Sequence, residues 1–113
     1  NYGWRFSPDM RGHCADFAIT FCGTYPHAHK CWLITMPAKA GAHALLFLQT
    51  TEGEWFAVNN GPPYLTKGTD FLDLYFRYPK VYRIVELPEP SQVREIGDFT
   101  YIHFLSGDFM WGE

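Results

Sequence analysis

From Gly12 onward, apolar or small residues stand at Cys14, Phe17, Ala18, Phe21, Cys22 and Tyr25. This is the i, i+3, i+4 recurrence of an amphipathic helix, sustained for about three turns. A helix is therefore predicted from Gly12 to Tyr25, and Pro26 ends it because proline cannot continue the ladder. Ala15 and Ile19 widen the apolar surface and leave only Asp16, Thr20 and Thr24 as a polar stripe, so the helix should be nearly enclosed.

Beyond it the period shortens. Cys31 to Met36 reads as a short buried strand closed by Pro37 and the Ala38-Lys39-Ala40-Gly41 loop,. Two runs follow, Ala42 to Thr50 and Glu54 to Asn60, joined across Glu52-Gly53 as a β-hairpin,. Gly61-Pro62-Pro63 breaks the second run, Asp70 to Tyr78 is a short aromatic helix ahead of Pro79, and Lys80 to Leu87 alternates as a further strand,. Pro88-Glu89-Pro90-Ser91 then punctuates the chain before an apolar stretch, Phe99 to Leu105, that suits a last strand,. A helix followed by mostly antiparallel strands is the α+β pattern. Phe17, Phe21, Leu46, Phe47 and Val58 are the expected core.

At 113 residues the chain has room for one domain, 1–113, and its 47% of apolar residues can build a core without a disulfide framework,. Twelve carboxylates against nine Lys and Arg give a net charge of −3, which lacks the basic footprint that a phosphate backbone requires, so no nucleic acid is expected as a partner. The longest apolar run, Ala42 to Leu48, is interrupted by His43 and falls far short of the roughly 20 residues that cross a bilayer, so no membrane is expected either. Three cysteines cannot all pair within one chain, which favours a reducing, cytoplasmic location. The start, Asn1-Tyr2-Gly3-Trp4-Arg5-Phe6, reads as neither a charged leader nor an apolar signal core, and its missing Met suggests processing,.

Candidate chemistry begins at Cys14. It falls in the first turn of the predicted helix, where unpaired N–H groups and the positive end of the dipole suit a nucleophilic sulfur. His43 opens the strand after the Ala-Gly loop and is the candidate base, and the imidazole then needs an acceptor to orient it,. Asn59 and Asn60, ending the paired strand, are the candidates, and the hairpin loop decides between them. A loop at Thr51-Glu52-Gly53 is expected to set His43 with even-numbered positions, and one at Thr50-Thr51-Glu52 to set it beside Asn59,.

Gly12-His13-Cys14-Ala15-Asp16-Phe17-Ala18 resembles the Gly-Asp-Cys-Glu-Asp-Tyr-Ala signature of the bacterial transglutaminase-like cysteine proteinases, within the wider transglutaminase-like and papain-like superfamily. Trp4 and Pro8 resemble the Trp and Pro that precede that signature, and Gly41-Ala42-His43-Ala44-Leu45-Leu46 its Gly-His-Ala-Val-Leu segment. Trp55-Phe56-Ala57-Val58-Asn59-Asn60 is similar to a strand ending in Leu-Asp-Asn, and Val81-Tyr82-Arg83-Ile84-Val85 to the Tyr-Arg-Phe-Val strand beyond it. The likeness covers about 4–87 and leaves 88–113 as a C-terminal extension. It implies a papain-like core in which a helix carrying the cysteine packs on an antiparallel sheet. It also implies a thiol-dependent amide hydrolase or acyltransferase acting on a protein or peptide substrate, with no cofactor. Cys14 is then the nucleophile, His43 the base and Asn59 the residue at the family's Asp. The chain departs from the pattern at His13, which replaces an Asp, and at Asn59, an amide that cannot balance imidazolium charge as a carboxylate does,. Papain-like enzymes use Asn in that role.

Two rival readings come from the same residues. His27, His29 and Cys31 alternate and, with Cys22 or Cys14, offer four soft zinc ligands, at a spacing that matches no common motif,. A non-catalytic interaction protein on the same fold is suggested by Tyr64, Tyr75, Tyr78 and Trp111, which read as surface aromatics,.

Overall fold

The computed structural model describes residues 14–38 and 41–96. It is an α+β arrangement: α1 (Cys14–Thr24), β1 (Ala28–Ala38), β2 (Gly41–Thr50), β3 (Trp55–Val58), β4 (Leu65–Gly68), α2 (Phe71–Phe76), β5 (Arg83–Glu86) and α3 (Pro90–Ile96). The strands form one antiparallel sheet in the order β4-β3-β2-β1-β5. No helix among the described residues is long and apolar enough to cross a membrane.

Alternation along each strand separates two cores. Cys31, Leu33, Ala44, Leu46, Leu48, Val58 and Val85 face α1 and α3, where Ala15, Ala18, Ile19, Cys22 and Val93 meet them. Ile34, Leu45, Phe47 and Ala57 face the other way and are covered by Leu74 of α2. The residues that α1 sends into this core, Ala15, Ala18, Ile19 and Cys22, are mostly small.

Several expectations need correction. Leu46, Phe47 and Val58 are buried, but Phe17 and Phe21 are half-buried, while Asp16 and Thr20 of the expected polar stripe are enclosed. The cause is α3, which packs along α1 and sends the Arg94 guanidinium to the Gly23 carbonyl. Asp16, Thr20 and Gly23 follow one another on one side of the helix, and the large rings are displaced to its margin. There Phe21 stacks on Tyr25 with centroids 5.3 Å apart.

Pro90, read as a breaker, instead begins α3: the Glu89 carbonyl accepts from the N–H groups of Gln92 and Val93. Proline fits a first helical position because its missing N–H would have had no partner there. Pro37 likewise does not close β1, which continues to Ala38 opposite Gly41. Alternate β1 residues turn their backbone groups toward β5, as the Leu87 N–H to Cys31 carbonyl bond shows, but β5 pairs no further than Thr35. The donor that Pro37 lacks therefore breaks no rung. Strand β4 was missed because four residues after two prolines show no alternation. The strand expected over Phe99 to Leu105 lies outside the described residues.

Candidate active site

The site is built where β3 leaves β2. Thr50 N–H donates to the Glu54 carbonyl at 2.8 Å, so even-numbered β2 residues direct their backbone groups toward β3,. Leu48 and Leu46 meet Phe56 and Val58 there, but β3 ends at Val58. The next donor in the series, the Ala44 N–H, instead donates to the Sγ of Cys14 at 3.1 Å. The sulfur thus occupies the ladder position that β3 vacates. Cys14 is the first residue of α1 and is half-buried, whereas the other two thiols, Cys22 and Cys31, are buried.

His43 precedes Ala44 and by alternation shares a face with Leu45 and Phe47,. Its Nε2 lies 2.8 Å from Asn59 Oδ1. The two residues are diagonal neighbours, since the register that pairs Leu46 with Val58 sets Asn59 opposite Leu45, a separation that long side chains bridge. Asn59 is held at both ends: its N–H donates to the Tyr64 carbonyl at 2.9 Å, and its Oδ1 accepts the Asn60 N–H at 2.9 Å.

That second bond settles the chemistry of the first. An atom accepting from a backbone N–H is the amide oxygen, not the nitrogen, and an oxygen can only accept from the ring. In neutral His43, Nε2 therefore carries the proton and Nδ1 carries the lone pair, the tautomer a base needs.

The hairpin loop is Thr51-Glu52-Gly53, closed by Gly53 at φ 86° and by the Thr50 hydroxyl, which accepts from Glu52 and Glu54 N–H. The expectation that this loop would face His43 with even-numbered positions does not hold. Pairing of Thr50 with Glu54 matches even with even and odd with odd, so His43 stays with Asn59 on one face. Asn60, for its part, contributes its backbone rather than its side chain.

The zinc grouping does not assemble, and no three His, Cys, Asp or Glu side chains among the described residues could hold a metal ion. The register slips between Ala28 and Lys30, which puts the exposed His29 in a bulge, so sequence alternation does not become a shared face,. Cys31 instead shares a hydrogen bond with Cys22, which together with burial raises its thiol pKa strongly.

Two features had no sequence signal. Thr35, opposite Ala44, is buried with a hydroxyl that finds no hydrogen-bond partner among the described residues. An open cleft of about 720 Å³ lies between the end of α1 and the start of α3, lined by Tyr25, His29, Lys30, Glu86 and Arg94. It sits at the opposite end of β1 from the partner of His43 and shares no residue with the site. Trp4, Pro8 and His13 lie outside the described residues. Comparison with family models, curated proteins and solved structures gave no match.

Proposed function

We propose that this chain is a thiol-dependent amide hydrolase or acyltransferase with a transglutaminase-like, papain-like core, acting on a protein or peptide substrate. The observation that carries the reading is the doubly bonded Asn59 oxygen, which fixes the ring and tautomer of His43, the residue beside the amide that holds the Cys14 sulfur. His43 takes the Cys14 proton at Nδ1, and the sulfur attacks the substrate carbonyl to form a C–S bond. On collapse the C–N bond breaks, His43 returns the proton to the departing amine, and a thioester remains. Water activated by His43 then releases an acid, or a second amine takes the acyl group, and Cys14 is restored. The N–H at the first residue of α1 has no helical acceptor, which makes it the natural donor to the oxyanion of the tetrahedral intermediate. The Ala44 N–H stabilises negative charge on the departing sulfur.

Alkylation by dilute iodoacetamide, read by mass spectrometry with buried Cys22 and Cys31 as internal controls, tests this. His43→Ala should slow labelling of Cys14 near neutral pH on the order of tenfold. Asn59→Ala should slow it less, Asn59→Asp should retain it, and His27→Ala should leave it unchanged. Equal rates in wild type and His43→Ala would sink the proposal. That result would favour a non-catalytic interaction protein, for which the exposed Tyr64, Leu72 and Phe76 speak; of the other aromatics expected at the surface, Tyr75 and Tyr78 are half-buried and Trp111 lies outside the described residues.

A further inference from the structure

We infer that the outer edge of β4 is the docking edge for an extended, apolar segment of the polypeptide substrate, an inference that rests on the function proposed above. Strand β4 ends the sheet among the described residues, with β3 on one side only. The Asn59 N–H to Tyr64 carbonyl bond, in a register that pairs Val58 with Leu65, fixes which residues turn inward. Tyr64, Thr66 and Gly68 direct their backbone groups to β3, while Leu65 and Lys67 direct theirs outward. Those outward N–H and C=O groups alternate at the spacing of a strand, so the partner they accept is another extended backbone.

Among the described residues the edge is only lightly protected. Lys67, its one charged side chain, is folded back, with Nζ 3.4 Å from Glu54 and 6.0 Å from the centre of the Phe56 ring. Tyr64 and Leu65 are 61% and 58% exposed and project to opposite faces, so each can meet apolar side chains on its own side of an added strand. An exposed apolar edge of this kind ordinarily invites aggregation. Here it is short and continuous with the site, because Tyr64 is the cross-strand partner of Asn59. Strands lie about 4.8 Å apart and an extended chain advances about 3.3 Å per residue. A segment beside β4 would thus lie about 10 Å from the slot of Cys14, a distance that about three residues span.

The experiment compares two electrophiles on the wild-type chain: iodoacetamide, and a chloromethyl ketone at the end of an apolar hexapeptide, whose chloride the Cys14 sulfur displaces. The hexapeptide should label Cys14 faster than a one-residue chloromethyl ketone by on the order of tenfold. N-methylation at alternate amides of the hexapeptide should abolish that gain. Leu65→Pro and Lys67→Pro remove outward N–H groups and no rung to β3, a change edge strands tolerate, and each should abolish the gain while iodoacetamide labelling persists. No gain over the short probe, or a gain that survives N-methylation, overturns the docking edge even if a proline variant fails to fold. Failure of the catalytic reading is distinct: it shows as His43-independent labelling by iodoacetamide.

Discussion

The two faces of the sheet are built from different materials. Against α1 and α3 the sealed core is aliphatic and thiol-bearing, its buried strand residues running from Cys31, Leu33 and Leu46 at 0% exposure to Ala44 at 4%, with the rings of Phe17, Phe21, Tyr25 and Phe56 only at its margin. Against α2 five residues are sealed, and around them stand five half-buried rings, Trp32 and Trp55 from the strands, Phe71 and Tyr75 from the six-residue helix itself, and Tyr78 just beyond it. Small side chains permit close approach, so the first face packs the 11-residue α1 against the sheet and with it sets the position of Cys14,. Rings cover area without closing it, so the second face remains open at its rim, where His43 and Asn59 stand by register. The candidate site thus draws on both faces where β3 ends: the sulfur from the sealed face meets the Ala44 N–H, and the imidazole of the next residue back, on the aromatic face, meets Asn59.

The largest test of that contrast is a pair of truncations. Leu46→Ala opens a cavity between α1 and the sheet that neighbours cannot fill, at an expected cost of about 3–5 kcal/mol. Phe71 packs on Trp32, Phe47 and Trp55 at centroid distances of 5.2, 5.3 and 6.1 Å, yet being half-buried, Phe71→Ala should cost about 2 kcal/mol. Urea melts measure both. If Phe71→Ala proves the costlier, the aromatic face is the tighter of the two.

A smaller effect is confined to the aromatic face. Gly68 lies so close to α2 that an added Cβ would stand 2.6 Å from Leu74 Cδ2. Gly68→Ala therefore forces the buried Leu74 side chain to shift, and should cost about 1–3 kcal/mol. Because α1 is untouched, labelling of folded Cys14 by iodoacetamide should be unchanged. A parallel loss of labelling would show that the faces are coupled through β3.

How legible was this in the sequence? Where one periodicity ruled a long segment, the element was readable: α1 and β2 follow from spacing, and the aromatic helix expected from Asp70 forms over Phe71–Phe76. What failed depended on neighbours. The side of α1 that is enclosed is decided by α3, whose first residue is a proline that reads as a stop. Pro37 is tolerated only because β5 is short. The pairing of His43 with Asn59 needed the register, and loop length alone led to the wrong parity. That the Cys14 sulfur would take a vacated ladder position has no signature in composition or spacing, because it depends on where a neighbouring strand stops.

The smallest effect concerns the cap that holds α2 over the aromatic face. The Asp70 carboxylate accepts the Asp73 N–H at 2.8 Å, and Asp73 in turn accepts the Thr69 N–H at 2.8 Å, a reciprocal arrangement close to a capping box,. The Thr69 N–H is the main reason the Asp73 carboxyl lies below its ordinary value of 3.8, with the charge of Arg77, 3.4 Å away, adding to it. A carboxyl depressed in the folded state binds its proton more readily when unfolded, so its contribution is present above the unfolded value near pH 4 and is lost as pH falls through the folded one. Asp73→Asn should therefore narrow the stability difference between neutral and acid melts, and leave the melt below the folded value nearly unchanged. Equal losses at both pH values would show that Asp73 acts through shape and not through charge. A loss also visible in Cys14 labelling would mean that the cap of α2 steadies the sealed face as well as the aromatic one.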